Sequence, residues 1–195
     1  MILAMPTRIS LADKPTLIGK RVRLRPVRAD DAPQVAALHP ETLRLTGTRR
    51  VPEVEELRRW YGGLAEHDDR LDLAIVEPGD DRYAGEAVLN ELDPDSGSCG
   101  FRILLIGPQY FGRGLGTEAA RLMLAHAFDT VGLHRVELEV YAFNPRARHV
   151  YEKVGFVHEG VKRHALRWDG AWVDAHVMAI LSDEWATHRG YPDLT

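Results

Sequence analysis

Cysteine is almost missing from this chain: Cys99 stands alone, which excludes a disulfide framework and a cluster of thiolate metal ligands. A reducing compartment fits, so the cytoplasm is the expected location. Long apolar runs are also missing. Nothing approaches the roughly 20 residues a membrane helix needs, and Met1 to Met5 is cut off by Pro6 and Arg8 before it could act as a signal segment. Nor is there an excess of one charge. Lys and Arg number 25 against 29 Asp and Glu, a net −4 that does not favour non-specific nucleic-acid binding. The pairs Arg49-Arg50 and Arg58-Arg59, and Arg146 with Arg148, read as solvated surface. His158, His164 and His176 lack a Cys or Glu partner at metal-ligand spacing, so no metal is expected. Repeats, low-complexity tracts and linkers are absent. The expected organisation is an arm over residues 1–19, one domain over 20–186 and a tail over 187–195.

The feature that stands out is Gly107-Pro-Gln-Tyr-Phe-Gly-Arg-Gly-Leu-Gly-Thr-Glu118, with four glycines in ten residues. An apolar segment, Phe101 to Ile106, leads into it and a helical run leaves it at Leu115. Strand, glycine loop and helix start gather backbone N–H groups around an anion. A dinucleotide fingerprint requires G-x-G-x-x-G, which Gly112-x-Gly114-x-Gly116 misses by one residue. A phosphate-binding P-loop requires Lys and a hydroxyl where Arg113 and Gly114 stand. Both nucleotide readings fail on residues their chemistry needs.

The remaining pattern is mixed α and β. Arg21 to Val27 alternates as a strand with Pro26 near its end, and Asp30 and Asp31 open a short helix with Val35 and Leu38 inside. Pro52 with Glu53, Glu55 and Glu56 announces a second helix, whose apolar face is Val54, Leu57, Tyr61 and Leu64, widened by Trp60. Residues 71–76, 83–92 and 98–106 form an antiparallel meander. The helix from Leu115 ends at Gly132, with Glu118, Arg121, Ala125 and Asp129 as its solvent stripe. The strand from His134 to Phe143 then closes a crossover unit and should run parallel to the strand before the loop. Asn144 caps a helix with Pro145 at its first position and Tyr151 on its inner face. Residues 156–168 and 171–181 form a hairpin around Asp169-Gly170.

Three passages together resemble the GNAT superfamily of acetyl-coenzyme A-dependent N-acetyltransferases. Gly112-Arg-Gly-Leu-Gly-Thr-Glu-Ala119 is similar to that family's pyrophosphate loop, and Asn144 to Phe156, with Tyr151-Glu-Lys-Val-Gly-Phe156, to its second motif. Val173 to Trp185 is similar to the closing strand of the branch that acetylates ribosomal-protein N-termini. The resemblance covers roughly residues 20–186. Phe111 replaces the usual Gln or Arg at the loop start, and Ala147 replaces a common Ser; each loses a side-chain hydrogen bond but no backbone donor.

The resemblance implies a mostly antiparallel α/β (α+β) fold with one parallel, splayed strand pair and helices on both faces. It implies acetyl-coenzyme A as cosubstrate, held by Phe111, Gly112, Arg113, Gly114, Leu115, Gly116, Thr117, Asn144 and Ala147. Free N–H groups at Leu104, Leu105 and Ile106 would meet the thioester carbonyl. Tyr151 would protonate the leaving thiolate. The motifs do not fix the base that takes a proton from the amine; Glu91 is the candidate, with Glu86 and Glu139 as rivals. The implied acceptor is a primary amine on a protein N-terminus or a small molecule, with an antibiotic- or polyamine-modifying enzyme as the alternative within the same class. A non-catalytic acyl-coenzyme A sensor is the rival from another class, and a homodimer is an open arrangement.

Overall fold

Alternation in the short strand β3, Leu71–Val76, decides the layering of the whole molecule. Leu71, Leu73 and Ile75 enter one core, while Ala74 and Val76 enter another on the opposite face. A strand buried on both faces must lie inside a sheet covered on both sides. The computed structural model, which describes residues 9–189, has that arrangement. Strands β1 (Leu17–Ile18), β2 (Arg23–Pro26), β3, β4 (Tyr83–Asp93), β5 (Ser98–Leu105), β6 (Arg135–Tyr141), β7 (Val157–Trp168) and β8 (Ala171–Leu181) form one eight-stranded sheet. Its order is β1-β2-β3-β4-β5-β6-β8-β7, and β5 with β6 is its parallel pair.

Helices α1 (Ala32–Ala36), α2 (Pro40–Thr46) and α3 (Val54–Gly63) follow β2. Leu57, Tyr61 and Leu64 bury the inner side of α3 and its following turn against Ala74, Val76 and Tyr83. Trp60 does not join this face; it is exposed, with the Arg70 guanidinium 4.8 Å from its ring. Helix α2 was not expected, although Pro40 at its first turn and a left-handed Gly47 at its end are ordinary helix punctuation.

The other face carries α4 (Leu115–Ala125), its π-helical continuation His126–Val131, and α5 (Pro145–Lys153). Leu115, Ala119, Ala120, Met123 and Leu124 are buried there. The expected solvent stripe on α4 is covered in part, because the Glu118 carboxylate accepts the backbone N–H groups of Lys20, Arg21 and Val22. That bond set docks the β1–β2 turn beside the helix start. The described part of the N-terminal arm is likewise tied down. Leu11 is in the core, and the Lys14 ammonium donates to the carbonyls of Leu11, His67 and Arg70. Residues 1–8 of that arm lie outside the described residues. At the other end α6 (Ser182–His188) runs past the expected domain limit, with Trp185 buried against Phe128.

Candidate active site

Strands β5 and β6 pair at only three positions, Ser98 with Arg135, Cys99 with Val136 and Gly100 with Glu137. Phe101 is the first residue past the last pair, and its ring stacks on Phe156 and meets Tyr151 edge-on at 6.4 Å. Beyond that aromatic wedge the two strands line a cavity of about 580 Å³ instead of each other. The sheet is therefore closed at one end and open at the other.

The glycine loop forms one end of this cavity. Gly114 is the cap residue of α4, at φ 79°, and no side chain caps the helix. The first N–H groups of α4 thus keep the donor capacity and the positive dipole end that suit an anion. Gly116 has no internal reason to be glycine: a Cβ there would meet nothing closer than Ile103 Cδ1 at 3.9 Å. What its hydrogen leaves is room on the cavity side. Phe111, Gly112, Gly114, Leu115, Gly116 and Thr117 all line the cavity. Arg113 is not among them. Its guanidinium is paired with Glu77 and lies 6.0 Å from the Tyr110 ring. A cation reaches the loop from elsewhere: Arg146, at the start of α5, lines the cavity with its guanidinium 4.9 Å from the Phe111 ring. Reading Arg146 as plain surface missed this, since a stack across two elements leaves no local signal.

Asn144 and Ala147 also line the cavity. The Asn144 amide is engaged on both sides, its Oδ1 accepting from Ala147 N–H at 3.1 Å and its Nδ2 donating to Leu45 O at 3.3 Å. It therefore caps α5 and ties it to α2. Thr42 of α2 donates to Leu105 O at 2.8 Å, so α2 bridges both sides of the open sheet.

Leu104 and Leu105 face the cavity, but Ile106 does not. The Ile106 N–H is bonded to Ala84 O at 2.9 Å and its carbonyl accepts from His39 N–H at 3.0 Å, so neither group is available to a thioester. Opposite them, Gly85 permits an unusually close crossing of β4 and β5. A Cβ on Gly85 would lie 2.0 Å from Leu104 O.

Tyr151 lines the cavity and is buried. Burial alone pushes its phenol well above the ordinary value of 10.0, which keeps the proton on it. Among the acids, Glu86 and Glu139 line the cavity. Glu91 does not: it is exposed at the far end of β4, at φ 54°, inside the register shift between Asn90 and Asp93. It lies five positions after Glu86, an odd offset, so strand alternation puts the two on opposite faces. Glu139 is half-exposed and bonded to Lys162 at 3.0 Å. Glu86 is buried, and both Tyr61 and Tyr83 donate to its Oε1, the latter at 2.7 Å. Burial raises its pKa above 4.5; the two phenol bonds lower it, and the charges of Asp72 and Asp31 add to the rise.

Cys99 lies at the closed end with its thiol pushed up to about 12 by burial and then by Glu137, which leaves it an inert packing residue. Among the described residues no group of three or more His, Cys, Asp or Glu is placed to hold a metal ion, and no helix is long and apolar enough to cross a membrane.

The glycine loop, the parted strand pair, Tyr151 and Glu86 thus meet around one cavity. The chain belongs to the GNAT acetyltransferases: the Acetyltransferase (GNAT) domain family matches residues 21–157. It is 29% identical over 177 residues to a Bacillus subtilis (strain 168) protein named "Probable N-acetyltransferase YjcK", covering 86% of this chain and 98% of that protein. It is 27% identical over 186 residues to the spermidine N(1)-acetyltransferase of Escherichia coli (strain K12), covering 89% and 93%. The fold is shared with a GCN5-related N-acetyltransferase from Brucella melitensis (TM-score 0.75, 24% identity, 94% of this chain and 86% of that one). It is shared too with the spermidine N-acetyltransferase of Vibrio cholerae solved with CoA and spermine (TM-score 0.78, 22% identity, 86% and 99%).

Proposed function

We propose that the protein acetylates a primary amine of a small cationic molecule of the polyamine type. The observation that carries the transfer is the single cavity lined at once by the glycine loop, both parted strands, Tyr151 and Glu86. Bound acetyl-coenzyme A supplies the acetyl thioester. Gly112, Gly114 and the uncapped start of α4 fit its pyrophosphate, and Arg146 adds positive charge beside Phe111. The Leu105 N–H, which points away from β4, is the candidate donor to a thioester oxyanion; Leu104 shares the direction of Ile106, whose N–H goes to Ala84 O on β4.

An alkyl amine has a pKa of about 10 and arrives protonated at neutral pH. Glu86 takes that proton, the role first assigned to Glu91, because its carboxylate is the buried one in the cavity and its raised pKa suits a base. Tyr151 gives its phenol proton to the departing sulfur, and the second proton that the nitrogen sheds as the amide forms restores the phenol. The polyamine reading rests on the spermidine acetyltransferase among the relatives and on two carboxylates, Glu86 and Glu139, in the cavity.

Thiol release from acetyl-coenzyme A, followed with spermidine, spermine, aminoglycosides and N-terminal peptides, tests the acceptor. Polyamines are expected to be used best; a preference for the peptides would transfer the assignment to the ribosomal-protein-like branch. Glu86→Gln and Tyr151→Phe are each expected to lower kcat on the order of 10²-fold with the KM for acetyl-coenzyme A little changed. Full activity in either variant removes that residue from its role.

A further inference from the structure

Glu86 is not placed by its own strand alone. Two phenols from different elements converge on one of its oxygens: Tyr61 from the inner face of α3, and Tyr83 from the start of β4. Both rings are buried, and both hydroxyls are held far above the ordinary tyrosine range by burial and by the Glu86 charge, so they act only as donors to it. Because both bonds fall on Oε1, Oε2 carries neither of them.

We infer that Tyr61 and Tyr83 are positioning residues for the reaction, clamping Oε1 of Glu86 so that the carboxylate stays ionised with its other oxygen available to the amine. This rests on the assignment of Glu86 as the base. The physical need is plain. Burial, and then the charges of Asp72 on β3 and Asp31 before α1, favour the protonated form of Glu86. Those two acids are themselves neutralised, Asp31 by a two-bond pair with Arg25 and Asp72 by one with Arg70. That leaves the phenols as the groups bonded directly to Glu86. Tyr61 adds a second function. It sits on a helix that forms a wall of the domain, so any displacement of α3 would loosen one of the two bonds on the base.

A phenol that donates to the carboxylate favours its charged form, so removing it raises the Glu86 pKa. Tyr61→Phe and Tyr83→Phe keep the rings and the packing. Each is expected to move the acid limb of kcat/KM upward by about one pH unit, as loss of one bond to a charged group implies. Below the limb that is about a tenfold loss, and at high pH activity returns to nearly the unsubstituted level. The KM for acetyl-coenzyme A should not change. Phenols that only fill space would give a loss independent of pH, or none, and either result overturns the inference. Glu86→Gln separates the two readings. If it abolishes turnover while the phenylalanine variants leave the limb in place, the clamp fails and the base stands. If it is fully active, the base assignment fails first. In the Glu86→Gln background, adding Tyr61→Phe should cause no further drop; an added tenfold loss would also count against the clamp.

Discussion

Gly85 is the residue on which the closest backbone approach in the site depends. A methyl group there would sit 2.0 Å from Leu104 O and 2.9 Å from Leu105 Cα, both backbone atoms that cannot rotate away. Overpacking of this kind costs about 1–3 kcal/mol. Gly85→Ala should therefore push β5 off β4 at Leu104 and at Leu105, the residue assigned to the oxyanion. The expected result is a fall of at least about tenfold in kcat/KM with a modest drop in Tm; unchanged kinetics would show that the crossing does not set the site. A glycine inside a strand pattern already signals close approach, but which backbone approaches it is a matter of register. The same holds for the acids. Three glutamates were legible as candidates, and alternation alone would have separated Glu86 from Glu91. The register shift after Asn90, which carries Glu91 to the surface, depends on the partner strand and leaves no mark in the residue order.

Helix α4 shows what an element can be asked to do twice. Its buried side was plain from the spacing of Leu115, Ala119 and Met123, and its start from the glycines. Its outer side was misread because Glu118 is engaged by a turn 98 residues upstream, a contact that periodicity cannot express. Gly116 separates the two functions of the helix. Alanine there fits the protein, since its Cβ would have ordinary contacts. Replacing a helical glycine gains up to about 1 kcal/mol. Gly116→Ala is thus expected to keep or raise the Tm of the free protein while sharply reducing the stabilisation given by acetyl-coenzyme A. Equal ligand-induced shifts in both proteins would remove Gly116 from the cradle. Helix α2 is the opposite case. At seven residues it is too short to show a clear period, so its place across the opening was invisible until Thr42 and Leu45 were seen bonded to two different elements.

For the molecule as a whole, the strand sequence and the single crossover fixed most of the architecture. The passage from β5 through α4 to β6 returns parallel, whereas β2 and β3 pair antiparallel across three helices, as do the meander strands and the final hairpin. How far the parallel pair stays together could be expected only through the resemblance, because it depends on where Phe101, Tyr151 and Phe156 meet. That three-rung junction has a consequence for local protection. The amides of Ile103 and Leu105, which point away from β4, and those of Leu138–Tyr141 that point away from β8, have no strand across from them among the described residues. In deuterated buffer they should exchange quickly while their alternate neighbours stay closed. An extended ligand lying in the gap would act as a temporary ninth strand. Saturating acetyl-coenzyme A is expected to slow those amides by at least about tenfold and to leave the Ser98–Gly100 rungs as they were. Unchanged exchange on both edges would mean that the open half of the sheet is not where the ligand binds.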